Sequence, residues 1–147
     1  MKSMLILGGT GAMGAHLVNE LKNSQWLITV TSRTERPSEA NITYVKGNAH
    51  ETEFLKSLLD KRFDVIIDFM AYTTKEFETI YRAFLSSCSQ YVYLSSSRAY
   101  NDSILPLTED SPLLFNTCND TNYLVTDEYA LAKGRQEKIL RESGFSN

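Results

Sequence analysis

Tyr129 and Lys133 stand four residues apart in Tyr129-Ala130-Leu131-Ala132-Lys133, so on a helix they share a face. A phenol beside an ammonium can take up and release a proton. Free tyrosine titrates near 10, about three units too high for a base at neutral pH, and closing that gap requires roughly 4 kcal/mol of preferential stabilisation of the anion. One ammonium at about 4 Å, in an effective dielectric near 20, supplies about that much. A hydroxyl able to steady a reacting oxygen stands upstream in Ser95-Ser96-Ser97, after the apolar run Tyr91-Val92-Tyr93-Leu94. Hydrogen-bond donation to an oxygen that gains charge is the chemistry such a serine offers.

A second motif supplies a binding site. Leu5-Ile6-Leu7-Gly8-Gly9-Thr10-Gly11-Ala12-Met13-Gly14 is an apolar strand running into G-x-x-G-x-x-G. Gly8 permits a tight turn, Gly11 lets backbone approach a pyrophosphate, and Gly14 lets the following helix pack closely on the strand. Thr10, Ala12 and Met13 complete the loop. The helix start then offers free N–H groups and a partial positive charge to phosphates. An Asp or Glu after the second strand would bind the adenine ribose hydroxyls. Thr31-Ser32-Arg33 stands there instead. A hydroxyl donor and a guanidinium suit a phosphate, which favours NADP over NAD, unless Arg33 is a solvated surface charge. Arg36 is a weaker second candidate. Asn48, after Gly47, is either a partner for the adenine amino edge or a turn residue.

The elements that must position these groups alternate. Lys2–Leu7, Trp26–Thr31, Ile42–Val45, Val65–Met70 and Tyr91–Ser95 read as strands. Ala12–Lys22, Glu51–Asp60, Thr74–Leu85 and Thr126–Glu142 carry apolar residues at helical spacing, with Gly144 as a C-cap. Alternation of this kind predicts a parallel sheet with right-handed crossovers. Only Ser32–Asn41 joins the second and third strands, and Pro37 lies within it, so that crossover is a loop or a single helical turn. The expected fold is a Rossmann-type doubly wound α/β sheet, strand order 3-2-1-4-5, forming one domain over residues 1–147.

Composition excludes several classes. The chain has 147 residues, 42% of them apolar, 22% charged, and a net charge of −3. That balance gives no general attraction to nucleic acid or an anionic membrane. No apolar run approaches a membrane span, and Met4–Leu7 is too short for a signal peptide. Cys88 and Cys118 lack metal or redox spacing, so reduced thiols in a cytoplasmic protein are expected, and no metal site. His16 and His50 carry no partner pattern.

Together the motifs resemble the short-chain dehydrogenase/reductase superfamily, in its extended branch of NAD-dependent epimerases and dehydratases. The glycine loop Gly8–Gly14 is similar to the family's nucleotide loop. Asp64-Val65-Ile66-Ile67-Asp68-Phe69-Met70-Ala71 resembles its fourth strand, whose end, with Met70 and Ala71, lines the cofactor. Tyr91–Tyr100 resembles its fifth strand, with the catalytic serine four residues before a tyrosine, which selects Ser96. Tyr129 and Lys133 match the catalytic pair, and Pro106–Pro112 resembles the segment leading to it.

The resemblance implies NAD or NADP as cofactor and redox chemistry at a secondary hydroxyl or ketone, on a small-molecule substrate such as a nucleotide sugar. Tyr129 acts as general base or acid. Lys133 assists it and binds the nicotinamide ribose, and Ser96 orients the substrate oxygen. A homodimer through helices 74–85 and 126–142 is also implied. Extended members are about twice as long, so the chain is expected to be truncated and to lack the C-terminal substrate region. Ser97-Arg98 occupy the place of an Asp-Glu pair in the 4,6-dehydratases, which weakens dehydration relative to epimerisation or reduction. Two other classes remain open: a non-catalytic NADP-binding domain, and an RNA-binding relative. The short crossover and Val65–Tyr72 resemble a side branch that includes chloroplast stem-loop-binding proteins, although no basic stripe with interleaved aromatics supports RNA binding.

Overall fold

The computed structural model describes residues 1–145. Ser146 and Asn147 lie outside the described residues. The chain forms two compact units, one of residues 1–70 with 79–94, the other of residues 71–78 with 95–145.

The first unit is built on strands β1 (Ser3–Leu7), β2 (Leu27–Ser32), β3 (Ile42–Lys46), β4 (Phe63–Asp68) and β5 (Cys88–Tyr93). All pair in parallel, in the order β3-β2-β1-β4-β5, which is the Rossmann-type order the sequence predicts. A central parallel strand is buried on both faces and needs an unbroken apolar run. Leu5, Ile6 and Leu7 of β1 supply it, each 0% exposed. Met4, Ile6, Val18, Ile28, Val30 and Ile42 form one core cluster, joined by the half-buried Leu17 and Leu21 of helix α1 (Ala12–Leu21). Helix α2 (Thr52–Leu59) buries Leu55 and Leu59.

β1 pairs with β2 on one side and with β4 on the other. The chain therefore reverses its direction of travel across the sheet at β1. The carboxyl ends of β1 and β4 flank the crevice where ligands of such sheets bind. The β2–β3 crossover is a loop, fastened by Asn41, whose amide donates to the carbonyls of Leu21 and Trp26 at 3.0 and 2.9 Å.

Among the strands, β5 differs most from the sequence reading. β5 begins at Cys88 rather than Tyr91, because Cys88 and Gln90 pair in register with Phe63 and Val65. The polar Ser89 and Gln90 are exposed on this edge strand, so apolar patterning does not mark them. The strand also ends at Tyr93, leaving Ser95 and Ser96 beyond it.

In the second unit the chain runs through a 3-10 turn (Ser97–Ala99), the short helices α4 (Leu114–Thr117) and α5 (Thr121–Leu124), and helix α6 (Tyr129–Arg141). Helix α3 (Thr74–Ser86) begins in this unit and continues into the first. α6 starts at Tyr129, not at Thr126, because Glu128 caps it: its side chain accepts from the Ala130 N–H at 2.8 Å. Asp127 is turned away to α3, accepting from the Thr74 N–H and hydroxyl at 2.7 and 2.5 Å. Gly144 adopts the left-handed φ of +76° just past the helix end, as expected of a C-terminal glycine.

Candidate active site

The glycine loop leaves β1 through Gly8 at φ +71°, a conformation that L side chains rarely adopt. Its carbonyl takes the Gly11 N–H at 3.0 Å, and its N–H reaches Thr31 Oγ1 at 3.3 Å. A Cβ added at Gly14 would lie 2.5 Å from the Gly8 carbonyl oxygen and 2.6 Å from Gly9 Cα. Helix and loop are thus in backbone contact. Gly11 caps α1 without a side-chain hydrogen bond, and no acidic residue sits in the first turn. The first N–H groups of α1 and their partial positive charge are left for a ligand. Thr10, Gly11, Ala12 and Met13 are exposed there. Exposed backbone donors at the start of a helix fit a pyrophosphate.

Ser32 is 3% exposed, and its hydroxyl bonds the Thr34 backbone, donating to the carbonyl at 2.7 Å. Arg33 is exposed. Arg36 lies over the Tyr44 ring, 5.9 Å from its centroid. The Asn48 side chain closes its own turn, accepting from the His50 N–H at 3.1 Å and donating to Glu51 at 3.4 Å. Met70 packs beside the glycine turn, its sulfur 3.3 Å from where a Gly8 Cβ would stand. Ala71 is exposed in the second unit.

Sequence reasoning passed over Asp68. It is 0% exposed and accepts from the Met70 N–H at 2.8 Å and the Tyr91 hydroxyl at 2.7 Å. A carboxylate so bonded fixes the turn that ends β4. The signal was an acid closing an otherwise apolar strand.

In the second unit, Lys133 is 3% exposed while Tyr129 is 41% exposed. Lys133 Nζ lies 6.0 Å from the Tyr129 ring centroid. The spacing of Tyr-x-x-x-Lys on α6 therefore does bring the two side chains together. Ser96 caps the 3-10 turn, its Oγ accepting from the Arg98 N–H at 3.2 Å.

Two unpredicted carboxylates organise the surroundings. Glu137, one turn beyond Lys133 and 8% exposed, accepts from the Ser95 hydroxyl, from the Tyr100 hydroxyl at 2.9 Å and from Arg141 at 3.2 Å. It ties the segment carrying Ser96 to the helix carrying Lys133. Burial, with Glu137 beside it, pushes the Tyr100 hydroxyl above its ordinary range. Glu128 is held below the usual carboxylate range by hydrogen bonds from Tyr123 and Ala130 and by the Arg98 guanidinium.

Asp127 has an acid-sensitive role. Burial acts to raise its pKa, but the Thr74 hydroxyl and N–H and the Arg135 guanidinium outweigh it, and the net shift is downward. A depressed folded-state pKa gives stability that is present above the unfolded value and lost as pH falls through the folded one. Asp127→Asn is expected to lower Tm by roughly 3 °C at pH 7. The difference from the parent chain should shrink steadily as pH falls below the ordinary aspartate value near 3.9. Thermal melts across that range check this.

A parallel sheet reversing at β1, with a glycine turn opening α1 at the reversal, defines a Rossmann-type dinucleotide-binding fold. The chain belongs to the NAD-dependent epimerase/dehydratase family, whose model matches residues 4–144. It is 31% identical over 126 residues to the chloroplast stem-loop binding protein of 41 kDa b of Arabidopsis thaliana, covering 74% of this chain and 33% of that protein. The UDP-Glc/GlcNAc 4-epimerase of Campylobacter jejuni is similar in structure over 100% of this chain and 50% of its own, with TM-score 0.78 and 18% identity. The Bordetella bronchiseptica enzyme WbmH, solved in complex with NAD+, matches with TM-score 0.73 and 19% identity over 99% of this chain and 53% of its own. The chain thus spans a third to a half of these proteins. Among the described residues no helix is long and apolar enough to cross a membrane. Cys88 and Cys118 are free thiols.

Proposed function

We propose that the chain carries the nucleotide-binding and proton-transfer groups of an epimerase or reductase acting at a secondary hydroxyl or ketone, on a nucleotide sugar, with NADP preferred over NAD. The pairing of the buried Lys133 with the exposed Tyr129 is the observation that carries this proposal. Tyr129 accepts or returns the proton of the reacting hydroxyl. Lys133 supplies a fixed positive charge that favours the anion formed on the phenol. Ser96 donates to the substrate oxygen and holds it in place. The open N-terminus of α1, behind Gly8, Gly11 and Gly14, binds the phosphates. Met70 and Ala71 line the cofactor site, Asn48 contacts the adenine, and Ser32 and Arg33 face its ribose. Bound nicotinamide would supply the hydride acceptor and donor. A homodimer through α3 and α6 is part of the same proposal.

Calorimetric titration with NADPH and, separately, NADH tests it. NADPH is expected to bind more tightly, and Arg33→Ala to weaken it by about tenfold while leaving NADH unchanged. Failure of both cofactors to bind would overturn the proposal.

A second reading, RNA binding without catalysis, is favoured by one observation, the 31% identity to a stem-loop binding protein. It predicts RNA gel shifts that weaken steeply with salt.

A further inference from the structure

Arg98 entered the sequence reading only as a departure from an Asp-Glu pair, with no role of its own. It lies in the 3-10 turn that Ser96 caps through the Arg98 N–H. Its guanidinium carbon is 5.7 Å from the Tyr129 ring centroid, and its Nη2 is 2.8 Å from Glu128 Oε1. Glu128 is itself anchored, its other oxygen accepting from the Tyr123 hydroxyl and the Ala130 N–H, both at 2.8 Å. An immobile carboxylate thus aims the guanidinium at the exposed phenol. As an ion pair alone this arrangement contributes little to stability, since the Arg98 side chain is 64% exposed and solvent screens such pairs. Glu128 takes the fork at Nη2, and the guanidinium remains largely exposed.

We propose that Arg98 is a specificity-determining residue that binds an anionic group, carboxylate or phosphate, on the substrate close to its reacting carbon. This rests on the proposed role of Tyr129 as the group that meets the reacting hydroxyl. The guanidinium carbon lies 5.7 Å from the Tyr129 ring centroid, so a substrate whose hydroxyl meets Tyr129 can place an anionic group against Arg98. Guanidinium–carboxylate and guanidinium–phosphate pairs form paired, charge-assisted hydrogen bonds, which a neutral sugar cannot match.

The test is equilibrium binding of D-glucuronate, glucose 6-phosphate and D-glucose to the chain, with NADPH titrated in parallel on the same samples. At least one anionic sugar is expected to bind about ten- to a hundredfold more tightly than glucose. Which of them does so distinguishes a carboxylate from a phosphate. Arg98→Gln should abolish that preference and leave glucose unchanged, while Arg98→Lys, which keeps the charge but not the fork, should retain part of it. Circular dichroism melts report folding, and the Lys variant decides if the Gln variant fails to fold. Equal binding of all three sugars, no binding of either anion, or a preference surviving in folded Arg98→Gln would each overturn the proposal. NADPH binding without anion preference removes the Arg98 site alone. Anion preference without NADPH binding removes the cofactor reading instead.

Discussion

Gly14→Ala is expected to destabilise the chain by about 2–4 kcal/mol and to abolish dinucleotide binding, whereas Gly11→Ala should fold normally and lose binding alone. The difference comes from what each new methyl group meets. At Gly14 the Cβ falls 2.5 Å from the Gly8 carbonyl oxygen and 2.6 Å from Gly9 Cα. These are backbone atoms of a turn already held by the Gly11 N–H and by Thr31, so no side chain can swing away. Relief requires α1 to shift from β1, which unpacks Val18 from the core formed with Ile6 and Val30. At Gly11 the Cβ meets only the Gly8 oxygen at 3.4 Å, and the extended φ of −76° suits any residue. Its methyl would instead stand on the exposed loop proposed to hold the phosphates. Melting curves paired with NADPH titration separate the two variants. Equal stability loss in both, or retained binding in Gly11→Ala, would sink the account of the loop.

Where one element sufficed, the sequence was readable. Leu5-Ile6-Leu7 running into Gly8 is a buried strand meeting a forced turn, and both features are local. The alternation of apolar runs and helical stripes then leaves few sheet topologies, because parallel crossovers are right-handed. The Tyr129–Lys133 pairing is a property of one helix and was equally legible.

What escaped was the part each charged or polar side chain plays, which was settled mostly by partners distant in sequence. Cys88 joins β5 through Phe63, and nothing in Cys88-Ser89-Gln90 announces it. Asp127 and Glu128 look like the first turn of α6, yet one caps another helix and the other caps its own. Glu137 reads as a solvated helix residue, but Ser95, Tyr100 and Arg141 converge on it. Burying a carboxylate is unfavourable unless donors surround it, and Ser95 and Tyr100 lie 42 and 37 residues upstream while Arg141 stands one turn along the same helix. Arg98 is similar: only the fold shows that Glu128 turns it toward Tyr129. Charged side chains at a site are therefore legible as types in the sequence, while their roles come from the fold.

Tyr129→Phe should separate chemistry from structure most sharply. The ring keeps its position over α6, and a phenylalanine ring still accepts the Lys133 and Arg98 cations at its face. Only the hydroxyl is lost, from a residue 41% exposed, so stability should change by less than about 0.5 kcal/mol. NADPH affinity should stay within about threefold, because Lys133 and the glycine loop are untouched. Hydride exchange with substrate, followed by nicotinamide absorbance, should fall about 10²–10⁴-fold, as expected when a positioned general acid–base is removed. Ser96→Ala makes the useful contrast. Its hydroxyl also caps the 3-10 turn by accepting from the Arg98 N–H, so that variant should lose stability as well as rate. A Tyr129→Phe chain that exchanged hydride at the parental rate would remove Tyr129 from the mechanism, whatever its distance from Lys133.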